Sequence, residues 1–221
     1  MIFSFVRQHL SVKISLLMVP LLLAGLGGFA WYVIDSRTEV DERENFRKAK
    51  TAAIVGSEGM SQLLEELVVS GVFTQTEIFD QNYRKIEEGD LSGAQIPKYH
   101  TAYDRYLDNR IGPFLDAFLS DESTVFAVLV DVNGYLPTHN SLYSQALTGD
   151  DALDQINNRT KRIFDDPVGL RAARFTGASG QPVLRQIYHR DTGVTMWDVS
   201  APVTVFGRQW GGFRIGLSMA R

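Results

Sequence analysis

Basic residues are concentrated in one stretch of a chain that is acidic overall. The 221 residues include 22 basic and 26 acidic side chains, a formal net charge of −4. Residues 158–190 nevertheless hold seven cations against two acids. Since a guanidinium matches a carboxylate bidentately, this excess predicts contact with an anionic ligand. The alternative is that the cations pair with the acids of residues 150–154 or face water. The candidates are Arg159, Lys161, Arg162 and Arg185.

Two histidines and the polar side chains near them form a second set of candidates. His139 follows Pro137 and Thr138 at the expected end of a strand, and His100 lies among tyrosines at the expected start of a helix. They predict hydrogen bonds to the ligand; the alternatives are axial ligation of a b-type haem or another metal, and bonds to backbone. We expect no cofactor, because no metal-site spacing of carboxylates accompanies them. The candidates are His100, Tyr103, Tyr135, His139, Asn140 and Tyr188.

Asp198 is a candidate for binding a positively charged group of the ligand. It follows Trp197 in an expected strand, where neighbouring side chains point to opposite faces. If Trp197 faces the core, Asp198 faces the ligand and recognises an ammonium group, so that the ligand would be anionic or zwitterionic. An ion pair with Arg185 or Arg214 across the sheet is the alternative.

Several classes of function are excluded by what the sequence lacks. There is no cysteine, which removes disulfides, thiol nucleophiles and thiolate metal sites. The short catalytic signatures of hydrolases, metalloproteases and nucleotide-binding enzymes are absent, so we expect no enzyme. The net charge gives no cationic footprint for nucleic acid. Residues 131–134 superficially match the start of a calcium loop but lack its other ligands, and predict a turn.

An uncharged segment near the N-terminus predicts a membrane anchor. Residues 14–34 form a run of 21 residues without charge, about 31 Å of helix against a hydrocarbon core of roughly 30 Å. Arg7 and Lys13 precede it, and five acids follow within residues 35–44. The positive-inside rule therefore predicts a single-pass protein of the cell inner membrane with a cytoplasmic N-terminus and a periplasmic remainder. The alternative is a cleaved signal peptide ending near residues 28–30.

A long helix is expected to continue from Asp35 to about Phe73. Its apolar and small residues recur at steps of three and four, which is a helical stripe. The stripe packs against another helix or forms the seam of a homodimer. It consists of Phe46, Ala49, Ala53, Gly56, Met60, Leu63 and Leu67. Further helices are expected over residues 74–90 and after Pro97, with a break at Pro113.

At Thr124 the period changes from helical to that of strands. Residues 124–131 predict a buried strand, and Asn133-Gly134 predicts the turn to a second strand. A long polar insertion with one short helix follows to Gly180, and three strands close the chain. We therefore expect an α+β fold: a transmembrane helix and a long helix, then a five-stranded antiparallel sheet with a helical cap. The expected segments are a cytoplasmic N-terminus (1–13), an anchor (14–34), a helical membrane-proximal region (35–123) and the sheet with its insertion (124–221).

With these elements and strings the chain resembles the extracytoplasmic sensor domain of bacterial methyl-accepting chemotaxis proteins, of the single-Cache, PAS-like type. The strings are KYHTAYDRYLD from Lys98, VFAVLVDVNGYLPTHNS from Val125, NRTKRIFDDPVGLRAAR from Asn158, RQIYHRDTGVTMWDVSAPV from Arg185 and GRQWGGFRIGL from Gly207. The resemblance implies that a small molecule binds between the exposed face of the sheet and the insertion. It also implies that binding shifts the sheet against the long helix, as part of signal transduction in chemotaxis.

One departure from the family limits what the resemblance implies. Receptors of this kind continue into a second membrane helix and a signalling coiled coil, which the sequence does not contain. The chain is either an anchored sensor that works through a signalling partner in trans or part of a longer receptor. The alternative function is an anchored scaffold that binds proteins and no small ligand.

Overall fold

The structure consists of two compact units. A computed structural model of the chain describes residues 10–177 and 180–219. The first unit extends to Glu44 and contains the N-terminal part of helix α1 (Leu10–Val69). The second unit, Asn45–Met219, contains the other elements.

Within the described residues, α1 is the one helix long and apolar enough to cross a membrane. Its most apolar window has a mean hydropathy of 2.0 and no buried side chain. This is compatible with the anchor predicted over residues 14–34, while length and composition alone do not show a membrane. Most of the expected cytoplasmic segment, including Arg7, lies outside the described residues. The segment boundaries and the orientation stay predictions.

The second unit confirms the α+β class. After α1, which ends four residues before the expected Phe73, short helices and strand pairs lead to long strands. The helices are α2 (Gln75–Ile78), α3 (Asp104–Ala117), α4 (Asp151–Asn157) and α5 (Pro167–Ala173), with 3₁₀ turns at Phe118–Ser120 and Ser141–Tyr143. The strands are β1 (Arg84–Lys85), β2 (Tyr99–His100), β3 (Thr124–Asp131), β4 (Tyr135–Leu136), β5 (Arg162–Ile163), β6 (Leu184–His189), β7 (Thr195–Val205) and β8 (Arg208–Ser218).

The main sheet has four antiparallel strands in the order β3-β8-β7-β6, and the prediction of five strands was wrong. The expected fifth strand, β4, pairs with β5 as a separate two-stranded sheet. The turn between β3 and β4 explains the difference. The carboxylate of Asp131 accepts hydrogen bonds from the backbone N–H groups of Asn133 and Tyr135, which curls the chain away from β3. Gly134, with a φ of 81°, lies against the backbone of Phe164, next to β5.

The prediction of a helix over residues 74–90 was also wrong beyond the first turn. Thr74 and Glu77 form a reciprocal capping box that starts α2, as such pairs do. The carboxylate of Asp80 then accepts hydrogen bonds from the backbone N–H groups of Asn82 and Ala102, so the chain leaves the helix. It continues instead into β1, which pairs with β2. The strand β2 lies just after Pro97, where the next helix was expected to begin.

The part of α1 from Asn45 to Val69 covers one face of the sheet. Ala49, Ala53, Gly56 and Met60 of the stripe are buried in the chain's own core. The ring of Phe213 lies so close to Gly56 that a Cβ has no room there. The core-packing alternative therefore describes this stripe, which is not available as a dimer seam. A homodimer through the long helix stays a prediction, and it needs another face of α1.

The opposite face of the sheet is covered as well. In β8 the alternation of Gly212, Arg214 and Gly216 with apolar residues predicts that one face of the strand is exposed, but all three are buried. The insertion between β3 and β6 explains this. A Cβ on Gly212 would lie 2.8 Å from the carbonyl oxygen of Ala172 in α5, so glycine is needed for the close approach of the insertion. Ligand candidates on this face therefore lie in a closed interior.

Candidate functional site

The cation segment, residues 158–162, is held in place by backbone bonds on both sides. The N–H of Arg159 donates to the carbonyl of Tyr143 at 2.7 Å, and Ser144 forms a bridge with Asn158. At its other end Arg162 pairs with Leu136 in the β4-β5 ladder. The segment is therefore fixed against the rest of the insertion, and its side chains point in two directions.

Arg159 lines a small space between the sheet and the insertion, here called the arginine cavity. Its volume is about 20 Å³. It is lined by three arginines from different elements, one histidine and a set of mostly apolar side chains. The lining residues are Phe126, Val128, Leu136, His139, Arg159, Phe164, Tyr188, Arg190 and Arg214. Three guanidinium groups in so small a space make it strongly positive.

Two aspartates balance part of this charge. Arg214 donates through Nε to Asp198 at 2.8 Å, and both side chains are buried. Burial alone would lower the pKa of Arg214, but Asp198 outweighs it and raises the pKa. Asp191 accepts from Arg159 at 2.7 Å and from Arg162 at 3.2 Å, so two cations share one carboxylate.

Several guanidinium N–H groups of this cluster have no partner in the described part of the chain. Among the described residues no carboxylate pairs with Arg190, whose guanidinium lies 4.4 Å from the ring centre of Tyr143. Its Nη2 is buried without a hydrogen-bond partner, and so are Nε and Nη1 of Arg162. Burial and the neighbouring Arg159 lower the pKa of both arginines. Because an unpaired buried charge is costly, Arg190, which lines the arginine cavity, indicates a place for an anion.

His139 forms one wall of the arginine cavity and is held in one orientation. Its Nδ1 accepts a hydrogen bond from the N–H of Asn140 at 2.8 Å, so the ring carries its proton on Nε2. Burial, with Arg159 and Arg190 nearby, lowers the pKa of His139 well below its usual value. Asn140 in turn accepts from the N–H of Ala127 in β3. The histidine is a neutral hydrogen-bond donor at this wall.

His139 also lines a larger open space, here called the cleft, of about 640 Å³. The cleft lies between α3 and the segments that flank the cation segment. Its charged lining residues are Asp90, Asp108, Asp116 and Lys161. The cleft and the arginine cavity thus share one wall and carry opposite excess charge.

The other candidates on this side form a second cluster, here called the paired network. Lys161 donates to Asp104 at 2.8 Å and lies 2.7 Å from Asp108. Nδ1 of His100 lies 2.6 Å from the same carboxylate of Asp104, and the hydroxyl of Tyr135 donates to the carbonyl of Tyr99 at 2.8 Å. Burial alone would raise the pKa of Asp104, but Lys161 and His100 lower it. These groups satisfy one another.

The two histidines are not brought together, since His100 lines neither the arginine cavity nor the cleft. Within residues 10–177 and 180–219, no group of three or more histidine, aspartate or glutamate side chains is placed to hold a metal ion. Tyr103 is buried beside Asp131, to which its hydroxyl donates at 3.4 Å. Haem ligation by this pair therefore has no support in the placement of the side chains.

The candidates from the closing strands are divided between the two faces. Tyr188 lines the arginine cavity, and Asp198 is taken up by Arg214 rather than left for an ammonium group. Arg185 lies on the opposite face, 3.7 Å from the ring centre of Trp197 and 4.6 Å from that of Phe46. It cannot contact a ligand in the cavity from there.

Sequence reasoning missed Arg190 and Arg214 as site residues, together with Asp191. Arg190 belongs to the cation-rich stretch, but it lies just beyond β6, where no alternation indicates its direction. For Arg214 the signal was present. It alternates with Gly212 and Gly216, and small residues around a cation on one strand face indicate close approach of another segment.

No protein-family model matches the chain, and no curated protein sequence matches it significantly. Among solved structures, the chain is similar to the E. coli DcuS sensor domain, with 18% identity and a TM-score of 0.32, over 49% of this chain and 65% of that one. It is also similar to the sensory domain of the Campylobacter jejuni chemoreceptor Tlp3, with 14% identity and a TM-score of 0.33, over 77% and 64%. For the Tlp3 domain in complex with L-valine the identity is 12% and the TM-score 0.33, over 77% and 63%.

The chain covers less than two thirds of each of these structures. Each of these structures is a sensor domain of a bacterial protein. What this chain binds has to follow from its own residues.

Proposed function

We propose that the chain is a membrane-anchored, extracytoplasmic ligand-sensing domain that binds a small organic anion in the arginine cavity. No bond is made or broken. The ligand acts by binding one arrangement of the sheet and the insertion more tightly than another. The single observation that carries the proposal is the buried guanidinium of Arg190, which lines the cavity and whose Nη2 has no hydrogen-bond partner in the described part of the chain.

A carboxylate is the group that best satisfies this guanidinium. Charge-assisted hydrogen bonds contribute about 1.5–3 kcal/mol each, and an oxygen pair matches the guanidinium fork. A cation would add to the repulsion among Arg159, Arg190 and Arg214, and a neutral ligand would leave it uncompensated. The cavity therefore selects negative charge.

The signal would leave the site through elements that touch both the ligand and α1. The strands that line the arginine cavity present their other face to α1, where Phe213 lies against Gly56. A shift of the sheet on anion binding therefore reaches the helix that the sequence predicts to enter the membrane. The output would pass to a signalling partner in trans or to a further part of the same receptor, as in chemotaxis.

The proposal is tested by the thermal stability of the full chain in detergent with a panel of sodium salts of small carboxylic acids. A ligand at 100 times its Kd adds about 2.7 kcal/mol to the free energy of unfolding. We expect stabilisation by carboxylates, and at least a tenfold loss of affinity in Arg190→Gln. Arg185→Gln is the matched control, because Arg185 lies on the other face of the sheet.

The result that contradicts the proposal is equal carboxylate binding by wild type and Arg190→Gln, or stabilisation by none of the salts. Absence of any anion effect would favour the anchored scaffold, whose partner is a protein.

A further inference from the structure

The arginine cavity is too small for a whole organic ligand. Its volume of about 20 Å³ corresponds to roughly one or two water-sized spheres. That space accommodates the two oxygens of a carboxylate but not the carbon chain attached to it. The rest of the molecule has to lie in an adjoining space, and the cleft of about 640 Å³ adjoins the cavity at His139.

The charges of the cleft restrict what that remainder can be. Three acids line it, Asp90, Asp108 and Asp116, against one cation, Lys161. Asp108 and Lys161 pair with each other at 2.7 Å. Asp116 accepts the backbone N–H of Ser141 at 2.8 Å and pairs with no cation in the described part of the chain. A second carboxylate on the ligand would meet uncompensated negative charge here, whereas a neutral or positive group would not.

The wall between the two spaces belongs to a segment that is bonded to the cation segment. The ring of Tyr143 lies 4.8 Å from that of His139, and the hydroxyl of Ser144 donates to the carbonyl of His139. The carbonyl of Tyr143 accepts from the N–H of Arg159. A movement of this segment would therefore be passed to the backbone of Arg159.

We propose that the arginine cavity and the cleft form one bipartite site for a monocarboxylate, with the carboxylate in the cavity and an uncharged or positively charged chain in the cleft. The inference rests on the proposed function of the cavity and adds the class of ligand to it. Dicarboxylates of the same length are rejected by the acids of the cleft.

The test compares four probes by isothermal titration calorimetry on the full chain in detergent. Acetate supplies the carboxylate alone. Pentanoate, 5-aminopentanoate and glutarate share a five-carbon chain and differ at the far end. We expect pentanoate and 5-aminopentanoate to bind at least tenfold more tightly than both acetate and glutarate.

A variant of the cleft separates charge from shape. Asp116→Asn keeps the oxygen that accepts from Ser141 and removes one negative charge. We expect it to tighten glutarate binding severalfold and to leave pentanoate unchanged. Asp41→Asn, an exposed position of α1, is the control for net charge.

The outcomes distinguish this inference from the proposed function. If acetate binds as tightly as pentanoate, or glutarate binds as tightly as either, the bipartite site is refuted while the anion cavity stands. If none of the four probes binds, the proposed function fails as well.

Discussion

The arginine cavity and the paired network each take a cation from the same segment of five residues, residues 158–162, and they differ in how those cations are paired. Lys161 meets two carboxylates of α3, and Asp104 is buried there with His100 as a further partner. Arg159 and Arg162, on either side, share the single Asp191, and Arg190 next to it has no carboxylate among the described residues. The φ of Lys161, 56°, is left-handed and helps its side chain point away from its neighbours.

The difference teaches which buried charges stabilise the fold and which are left for a ligand. A charge with a complete set of partners needs nothing else, and removing one partner leaves the other stranded. A charge without partners destabilises the empty protein, and an anion relieves that cost. The two clusters should therefore respond in opposite directions to the loss of a cation.

The largest expected effect is the loss of a partner in the paired network. Lys161→Met leaves Asp104 buried without its ammonium group, and we expect the free energy of unfolding to fall by about 3–5 kcal/mol. Denaturant titration of the full chain measures it. Lys85→Met, at an exposed cation, should change stability by no more than about 0.5 kcal/mol. Equal stability of Lys161→Met and wild type would show that the network contributes nothing to the fold.

Loss of a cation from the arginine cavity should have the opposite sign. Arg190→Met removes an unpaired buried charge and keeps a chain of similar length, so we expect unchanged or increased stability in the absence of anions. Stabilisation by acetate should be lost at the same time. A fall of more than about 2 kcal/mol would place Arg190 among the structural charges, in the range of a disrupted buried network.

The last expected effect is a dependence of stability on pH caused by Lys98, a buried cation that neither cluster contains. Its ammonium donates to the backbone carbonyls of Asn158 and Thr160, which flank Arg159. Burial, and then Arg162 and Arg159, lower its pKa to about 7 from 10.5, with Lys161 also lowering it and Asp154 raising it.

The direction of the pH dependence of stability follows from the protonation of Lys98 in the folded and in the unfolded chain. Between about pH 7 and 10 the unfolded chain keeps a proton on Lys98 that the folded chain has lost. The stability of wild type relative to Lys98→Met should therefore rise with pH across this window, by at most about 1.4 kcal/mol per pH unit. Denaturant titrations at pH 6, 7.5 and 9 check it. A difference that is independent of pH would show that Lys98 titrates normally in the folded chain.

The sequence predicted the long strands well because their period is unambiguous. The strands expected at Thr124–Asp131 and Arg208–Ser218 are found with the same bounds. The pairing of β4 with β5 and the end of the helix after α2 were not predicted, because the hydrogen bonds of two side chains determine the path of the chain at both places. Asp131 and Asp80 bond to nearby backbone N–H groups there, and propensity does not report such local competition.

The candidate site was predicted at the level of a region and not of its residues. The excess of cations indicated the insertion, and Arg159, His139 and Tyr188 line the arginine cavity, where we propose that an anion binds. Alternation along a strand indicates that the strand has two different faces, but not which face is covered by α1 and which by the insertion. Alternation therefore did not show that Arg185 lies on the face away from the arginine cavity, or that Arg214 lines this cavity. Lys161 points away from Arg159 and Arg162 because its backbone is left-handed, which the sequence pattern does not indicate.

The most direct test of the central claim, that unpaired arginines bind a carboxylate, is a crystal structure of the full chain grown with sodium acetate. The account predicts a carboxylate in the arginine cavity, within about 3 Å of Nη2 of Arg190. An arginine cavity without acetate, in which Arg190 is paired with a carboxylate of the protein itself, would contradict it.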